Sequence, residues 1–201
     1  MPGVRVYPYK EVESGAQIYE SLIWESRASS RLFERDSVSG LVNVDLTPEM
    51  VTRLAVAFGT ALPRGARVVA SREAPAACRM VERAMIAGLN STGIDVSDLQ
   101  VIPSAVGRHL LKTHDYAAGF HVGSAAIDPE IVAIRFFEEP GIQLSTAMQK
   151  EVEKHFSRGE LRRASGGNVG GVVDSQLGPT SAPVSGRLTM VAADTSSAPT
   201  S

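Results

Sequence analysis

Residues 117–145, AAGFHVGSAAIDPEIVAIRFFEEPGIQLS, decide the fold of this chain. Gly119 to Val122 and Val132 to Phe137 are short apolar, β-branched and aromatic runs, each bounded by Gly, Pro, Ser or Asp, the pattern of buried strands. The connection between them is too short for a helical crossover, so the two strands predict an antiparallel hairpin. Glu139-Pro140-Gly141 reads as a turn, and Ser145 precedes Met148, Val152 and Phe156 at helical spacing, the signature of a capped helix start.

Moving N-terminally, strands and helices alternate. Thr47-Pro48-Glu49 combines a capping hydroxyl, a proline at the first turn and an acid, and Val51, Leu54, Ala55, Phe58 and Leu62 follow with helical periodicity. Pro63 and Gly65 stop that helix, and Arg67 to Ser71 is a short buried strand. A second helix from about Pro75 to Ser91 carries Val81, Met85 and Leu89 on one face. Val96, Leu99 and Val101 mark the next strand, and Pro103 opens a third helix that runs through Val106 and Leu110 to His114. Repeated β-α-β alternation predicts a three-layer α/β/α domain over 47–164, with parallel strands and helices on both faces of the sheet. The terminal hairpin makes that sheet mixed.

The flanks have a different texture. In residues 1–26, Val6, Val12 and Ile18 recur every six residues, as do Val4, Lys10, Ala16 and Leu22. That period fits the end of a hexapeptide β-helix, which needs stacked neighbours to bury a core; a plain hairpin is the alternative. Residues 27–46 form a linker and a first strand region. Residues 165–201 are rich in Gly, Ser, Thr, Pro and Ala, and such a composition predicts a low-complexity disordered tail.

With 201 residues, 43% of them apolar, the chain is long enough for one domain with a core plus extensions. A net charge of −2 argues against a general affinity for nucleic acid or membrane surfaces. The single cysteine, Cys78, excludes an internal disulfide and a multi-thiolate metal centre. The sequence lacks both a stretch of the ~20 apolar residues a membrane span needs and a signal-like N-terminus, so a cytoplasmic location is expected.

The stretch around 117–145 resembles the phosphoserine-loop region of the α-D-phosphohexomutases (phosphomannomutases and phosphoglucomutases). There a strand ends in a loop close to T-A-S-H-N-P, and a G-I-K-F-F strand leads into D-G-I-Q-L-S. Ala133-Ile134-Arg135-Phe136-Phe137 and Gly141-Ile142-Gln143-Leu144-Ser145 match well. The loop does not: on an ungapped alignment Ala125 falls on the phosphorylated serine, Ala126 on the histidine and Ile127 on the asparagine. Val42-Asn43 with Leu46-Thr47-Pro48-Glu49, Val68-Val69-Ala70-Ser71-Arg72-Glu73, and Ala87 to Leu99 with Pro103 follow the family's order of landmarks. The arginine of its opening motif falls on Ser39, and the second arginine of V-V-V-G-R-D-T-R on Pro75.

The resemblance implies domain I of such a protein in sugar-phosphate and sugar-nucleotide metabolism, with its phosphoryl-transfer groups altered. The family places magnesium on a D-G-D-x-D-R loop. That run does not occur in these 201 residues, so no metal ligand and no cofactor are expected. Val4 to Lys10 and Ile23 to Ser26 resemble the junction in actinobacterial-type, mannose-1-phosphate guanylyltransferase-like sugar nucleotidyltransferases, which append a degenerate mutase region to a β-helix. That likeness implies a fragment of such a protein, or a gene truncated at both ends. The partners expected are a sugar phosphate and a sugar nucleotidyltransferase domain or chain, with no nucleic acid and no membrane.

Ser124, one position before the aligned nucleophile, is the candidate catalytic residue. It supports the alternative expectation of an intramolecular phosphotransferase half-site completed by a partner chain, against the plain reading of a loop serine. Arg72 and His121 are the candidate phosphate or sugar-phosphate contacts. Their plainer readings are a structural ion pair, Arg72 and Glu73 pairing with each other or with the loop, and a histidine on a sheet face. Asp128 and Glu130 near the loop lack the further ligands a metal site requires. Lys150, Lys154, Arg158, Arg162 and Arg163 read as a solvated basic face, and Cys78 as core.

Overall fold

A computed structural model describes residues 32–34, 36–124, 130–159 and 161–174. The repeating residues of 1–26 and the segment 175–201 lie outside the described residues. Seven strands, β1 (Ser37–Leu41), β2 (Arg67–Arg72), β3 (Asp95–Val101), β4 (Ala118–Ser124), β5 (Ile131–Glu138), β6 (Ile142–Gln143) and β7 (Val172–Asp174), form one sheet. Its order is β1-β5-β4-β2-β3-β7, with β6 beside β5. β2 is parallel to β3 and β4, and β3 to β7, whereas β5 runs antiparallel to β4, β1 and β6. The expected hairpin and mixed sheet are therefore present.

Four helices cover the sheet: α1 (Pro48–Ala61), α2 (Ala76–Ser91), α3 (Ser104–Thr113) and α4 (Thr146–Arg158). Thr47 caps α1 through its side chain, which accepts the Met50 N–H at 3.3 Å, and Pro48 supplies the first turn. Ser145 caps α4 in the same way, and Gly159, at φ 69°, ends it in the left-handed region. Strand alternation sends Val68, Ala70, Ala118, Phe120, Val122, Val132, Ile134 and Phe136 to one face, where they pack against the apolar stripes of α1, α2 and α4. Phe136 is fully buried there, edge-on to both Phe33 and Phe58. Gly88 lets α2 sit against α1: a Cβ at that position would lie 2.5 Å from the Ala55 Cβ and 2.7 Å from the Thr52 carbonyl oxygen.

α3 covers the opposite face over a much smaller cluster, Val69, Leu99, Leu111, Tyr116 and Phe137. Val96 and Leu99 therefore point to different sides of β3, and Val101 is half exposed at the strand end. A register shift in the β2–β3 pairing between Ala70 and Arg72 accompanies that change.

The domain is wider than residues 47–164, because β1 and β7 are strands of the same sheet. The disordered tail expected from residue 165 is corrected over its described part. Residues 166–168 form a 3₁₀ turn, and β7 pairs with β3. Gly170 and Gly171 donate their N–H groups to the Asn90 carbonyl at 2.9 Å and the Asp95 Oδ1 at 2.7 Å. The composition argument counts only apolar burial; here the open edge of β3 supplies main-chain partners, and Val172 and Val173 remain exposed.

The basic-face reading is also corrected, at Arg162. Its guanidinium donates to the carbonyls of Thr92 at 3.0 Å, Leu62 at 2.8 Å and Gly59. These oxygens lie at the C-terminal ends of α1 and α2, where unpaired carbonyls concentrate negative potential. Lys154, by contrast, is exposed and pairs with Glu151 one turn earlier.

Candidate functional site

The chain leaves β2 toward β3 and leaves β4 toward β5, so the connections diverge at the C-terminal ends of these neighbouring strands. Such a divergence opens a crevice in an α/β sheet. A shallow cleft of about 430 Å³ lies here, lined by Arg72 at the end of β2 and Glu73 after it, Val101 to Ser104 from the end of β3 to the start of α3, His121 on β4 and Arg135 on β5.

Glu73 joins the two strand ends. Its N–H donates to the Val122 carbonyl at 2.9 Å, and its carboxylate accepts the Ser124 N–H at 3.0 Å. Gly123 makes room for that carboxylate, since a Cβ there would lie 2.7 Å from the Glu73 Oε1. Ser124 ends β4, and its side chain hydrogen-bonds the Cys78 thiol on the first turn of α2. Burial pushes that thiol above its ordinary pKa, with the Ser124 hydrogen bond opposing the rise. The aligned nucleophile position, Ala125, and Asp128 lie outside the described residues.

The two candidate phosphate contacts do not converge. His121 points to the α3 face, where register places it between Ser71 on β2 and Arg135 on β5. It is 3% exposed, and its Nδ1 lies 2.9 Å from the Ser71 hydroxyl. Burial lowers its pKa, which favours the neutral ring; Glu73 pulls the other way. Arg72 points to the α2 face instead. Its Nε lies 2.6 Å from the Glu82 Oε2, and the expected ion pair with Glu73 does not form: Arg72 donates only to the Glu73 backbone carbonyl, at 3.3 Å.

Glu82, on α2, is 2% exposed. Burial and the neighbouring Asp98 carboxylate push its pKa up to about 8, with Arg72 opposing. Sequence reading missed this residue. The available signal was its helical spacing with Cys78, Met85 and Leu89, which places an acid on the buried stripe. Arg135 and Ser71 were missed as well. Alternation along β5 put Arg135 on the face of Ala133 and Phe137, but its juxtaposition with His121 depends on strand register. Among the described residues, no group of three or more His, Cys, Asp or Glu is gathered to hold a metal ion. The buried acid Glu82 has the Arg72 guanidinium against it. The described residues therefore do not fit the magnesium that the family resemblance implies.

What the geometry offers is a mixed polar cleft. Arg135 supplies a cation at its wall and His121 a neutral imidazole, and the first turn of α3, which has no side-chain cap, opens beside them. No described helix is long and apolar enough to cross a membrane.

Comparison with known proteins agrees with this architecture. The family described as phosphoglucomutase/phosphomannomutase, alpha/beta/alpha domain I, matches residues 30–163. A phosphoglucosamine mutase of Kineococcus radiotolerans is 34% identical over 148 residues, covering 71% of this chain and 33% of the relative. One from Exiguobacterium sibiricum is 35% identical over 150 residues, covering 72% and 33%. The chain thus spans about a third of the length of these curated relatives. In structure it resembles a phosphoglucomutase/phosphomannomutase family protein of Burkholderia thailandensis, with a TM-score of 0.61 and 16% identity over 69% of this chain and 31% of that one. That likeness concerns the fold. The matched span takes in β1 to β6 and α1 to α4, including the strand-end cleft, and on that ground the chain belongs to the phosphoglucomutase/phosphomannomutase family through its α/β/α domain I.

Proposed function

We propose that this domain serves sugar-phosphate metabolism as a structural or regulatory module and does not itself carry a phosphoryl group. The observation that supports this reading most is the state of Ser124, the hydroxyl residue next in sequence to the aligned nucleophile position. Ser124 is tied down twice, by its amide on Glu73 and by its side chain on Cys78, and the next residues are Ala125, Ala126 and Ile127. Alanine has no group to phosphorylate. Neither neighbouring base is committed to the Ser124 hydroxyl: His121 lies on β4 with its Nδ1 engaged by Ser71, and the Glu73 carboxylate accepts the Ser124 amide.

The substrate class follows from the family and from the cleft: a hexose or hexosamine phosphate, its anionic end at Arg135. Arg72 contributes little to such binding while Glu82 holds it. The module acts in the cytoplasm, without a cofactor of its own, beside a sugar nucleotidyltransferase. Support for that last partner is the likeness at Val4 to Lys10 and Ile23 to Ser26.

The decisive experiment is incubation of the chain with glucose and glucosamine 1,6-bisphosphates, followed by intact mass spectrometry. No phosphoryl adduct is expected. A stable adduct on Ser124 would overturn the proposal in favour of the half-site reading, in which a partner chain completes a phosphotransferase. Calorimetric titration with glucose 1-phosphate, mannose 1-phosphate and glucosamine 6-phosphate tests binding separately. Heat that disappears in Arg135→Ala is the expected result, and no heat at millimolar ligand would remove the sugar-phosphate assignment.

A further inference from the structure

Ser71 and His121 form an enclosed polar pair between β2 and β4. The two residues are register partners, 2% and 3% exposed, and the Ser71 Oγ lies 2.9 Å from His121 Nδ1. α3 covers Ser71: a Cβ built on Gly107 would lie 3.5 Å from its Oγ. The hydroxyl therefore acts on the imidazole and not on a ligand. A ring that carried its proton on Nδ1 would donate to Ser71, and the Ser71 O–H would then lack an acceptor, since among the described residues it bonds to nothing else. Leaving an enclosed O–H unpaired is costly. With Ser71 donating to Nδ1, the proton of the neutral ring stands on Nε2.

Nε2 opens on a notch at the end of β4. Gly123 has no side chain there, and a Cβ on it would meet Glu73 Oε1 at 2.7 Å and His121 Nε2 at 3.3 Å, so an acceptor and a donor flank one point. The second Glu73 oxygen, Oε2, is committed to the Ser124 N–H at 3.0 Å. Among the described residues, Nε2 and Oε1 do not bond to each other. A hydroxyl suits this pair, because it accepts from Nε2–H through its oxygen and donates its own proton to Oε1. A phosphate oxygen does not: it would accept from Nε2–H but meet the Glu73 carboxylate as a like charge. Negative charge is favoured instead at Arg135 on β5, which lines the same cleft and is the register partner of His121 on its other side.

We propose that Glu73 and His121 form a hydroxyl subsite, in which one ring hydroxyl of a sugar phosphate bridges His121 Nε2–H and Glu73 Oε1 while the phosphate sits at Arg135. Ser71 is the positioning residue: it touches no ligand and fixes which ring nitrogen faces the notch. The subsite rests on the sugar-phosphate reading of the cleft and gives that ligand an orientation within it. The enclosed Ser71–His121 pair carries a desolvation cost that the apolar neighbours on the same face, Val69 and Phe137, do not. A ligand hydroxyl at Nε2 offsets part of it.

Two measurements test the subsite. The first needs no ligand: a long-range proton–nitrogen-15 NMR spectrum of the full chain at pH 8 reads which nitrogen of each histidine ring carries the proton. His121, identified by the loss of its signals in His121→Phe, should be protonated on Nε2, and Ser71→Ala should mix the two tautomers. A wild-type ring protonated on Nδ1 would overturn the proposal. The second is calorimetric titration with glucose 1-phosphate and with inorganic phosphate, read as the ratio of their dissociation constants. Glucose 1-phosphate should bind about tenfold tighter, the worth of one charge-assisted hydrogen bond. His121→Phe, which keeps a flat ring without nitrogens, should collapse that ratio. Glu73→Gln should collapse it too, because the amide oxygen stays on the Ser124 N–H and the NH2 group turns the acceptor at the notch into a donor; this variant decides where His121→Phe does not fold. A ratio that persists in the variants, or equal affinities in the wild type, would refute the subsite while leaving phosphate binding at the cleft intact. Binding of neither ligand would instead remove the sugar-phosphate reading itself, and the subsite with it.

Discussion

The two faces of the sheet bury ionisable groups with opposite consequences. On the α2 face an acid, Glu82, is raised toward pH 8 by burial and by Asp98. On the α3 face a base, His121, is lowered by burial. Both shifts favour the neutral form, because an enclosed site penalises charge of either sign. Their linkage to stability therefore runs in opposite directions. Glu82 makes the fold less stable as pH rises. His121, whose folded pKa lies below the unfolded 6.5, contributes stability that is present above that value and lost as pH falls through the folded value. The faces differ in construction too. One carries the extended apolar core under α1, α2 and α4, and the other a five-residue apolar cluster under α3, with its polar row at the cleft.

Several substitutions test how far that asymmetry goes. Phe136→Ala strikes the large core where three aromatic rings meet, and should cost about 3–5 kcal/mol. Measured by urea denaturation, that approaches the whole stability of a small domain; a loss under 1 kcal/mol would show that this face is not the main source of stability. Arg162→Ala should come next. It releases three helix-end carbonyls from a charged donor, and we expect about 2–4 kcal/mol, only partly restored by Arg162→Lys, which lacks the planar fork of donors.

On the weaker face, Ser71→Ala removes the partner of His121 Nδ1 and should cost about 1–2 kcal/mol. Its sharper readout is the pH dependence between 5 and 7. His121→Gln should flatten the acid-side loss of stability while leaving the alkaline decline due to Glu82 in place. If one substitution removed both limbs, the two faces would not titrate independently. Ser124→Ala is the smallest change, expected within about 0.5 kcal/mol, because its anchoring hydrogen bond to Glu73 comes from the backbone.

Much of this architecture was legible in the chain. Caps at Thr47 and Ser145, the apolar stripes of α1 and α2, and the closely spaced β4 and β5 are local signals, written within a few turns or a few strand residues. The likeness to the phosphohexomutases extended the same reading to the domain. The site was less legible. Ser124, Arg72 and His121 were found in the sequence, but their partners were not. Ser71, Glu82, Asp98 and Arg135 become neighbours only through sheet register and helix packing, between residues far apart in the chain.

Arg162 and β7 show the same limit from the other side. Arg162 stands in a run of surface-type charges, yet the ends of two helices converge on it. Residues 165–174 carry little apolar area, yet a strand edge with unpaired amides and carbonyls gives them a place. By itself the sequence determined the elements, their caps, which stripe of each faced inward, and the absence of a hydroxyl at positions 125–127. Tertiary structure alone decided which charges share an enclosed space, and so which of them can stay ionised, because that depends on distances and on water exclusion that no local pattern encodes.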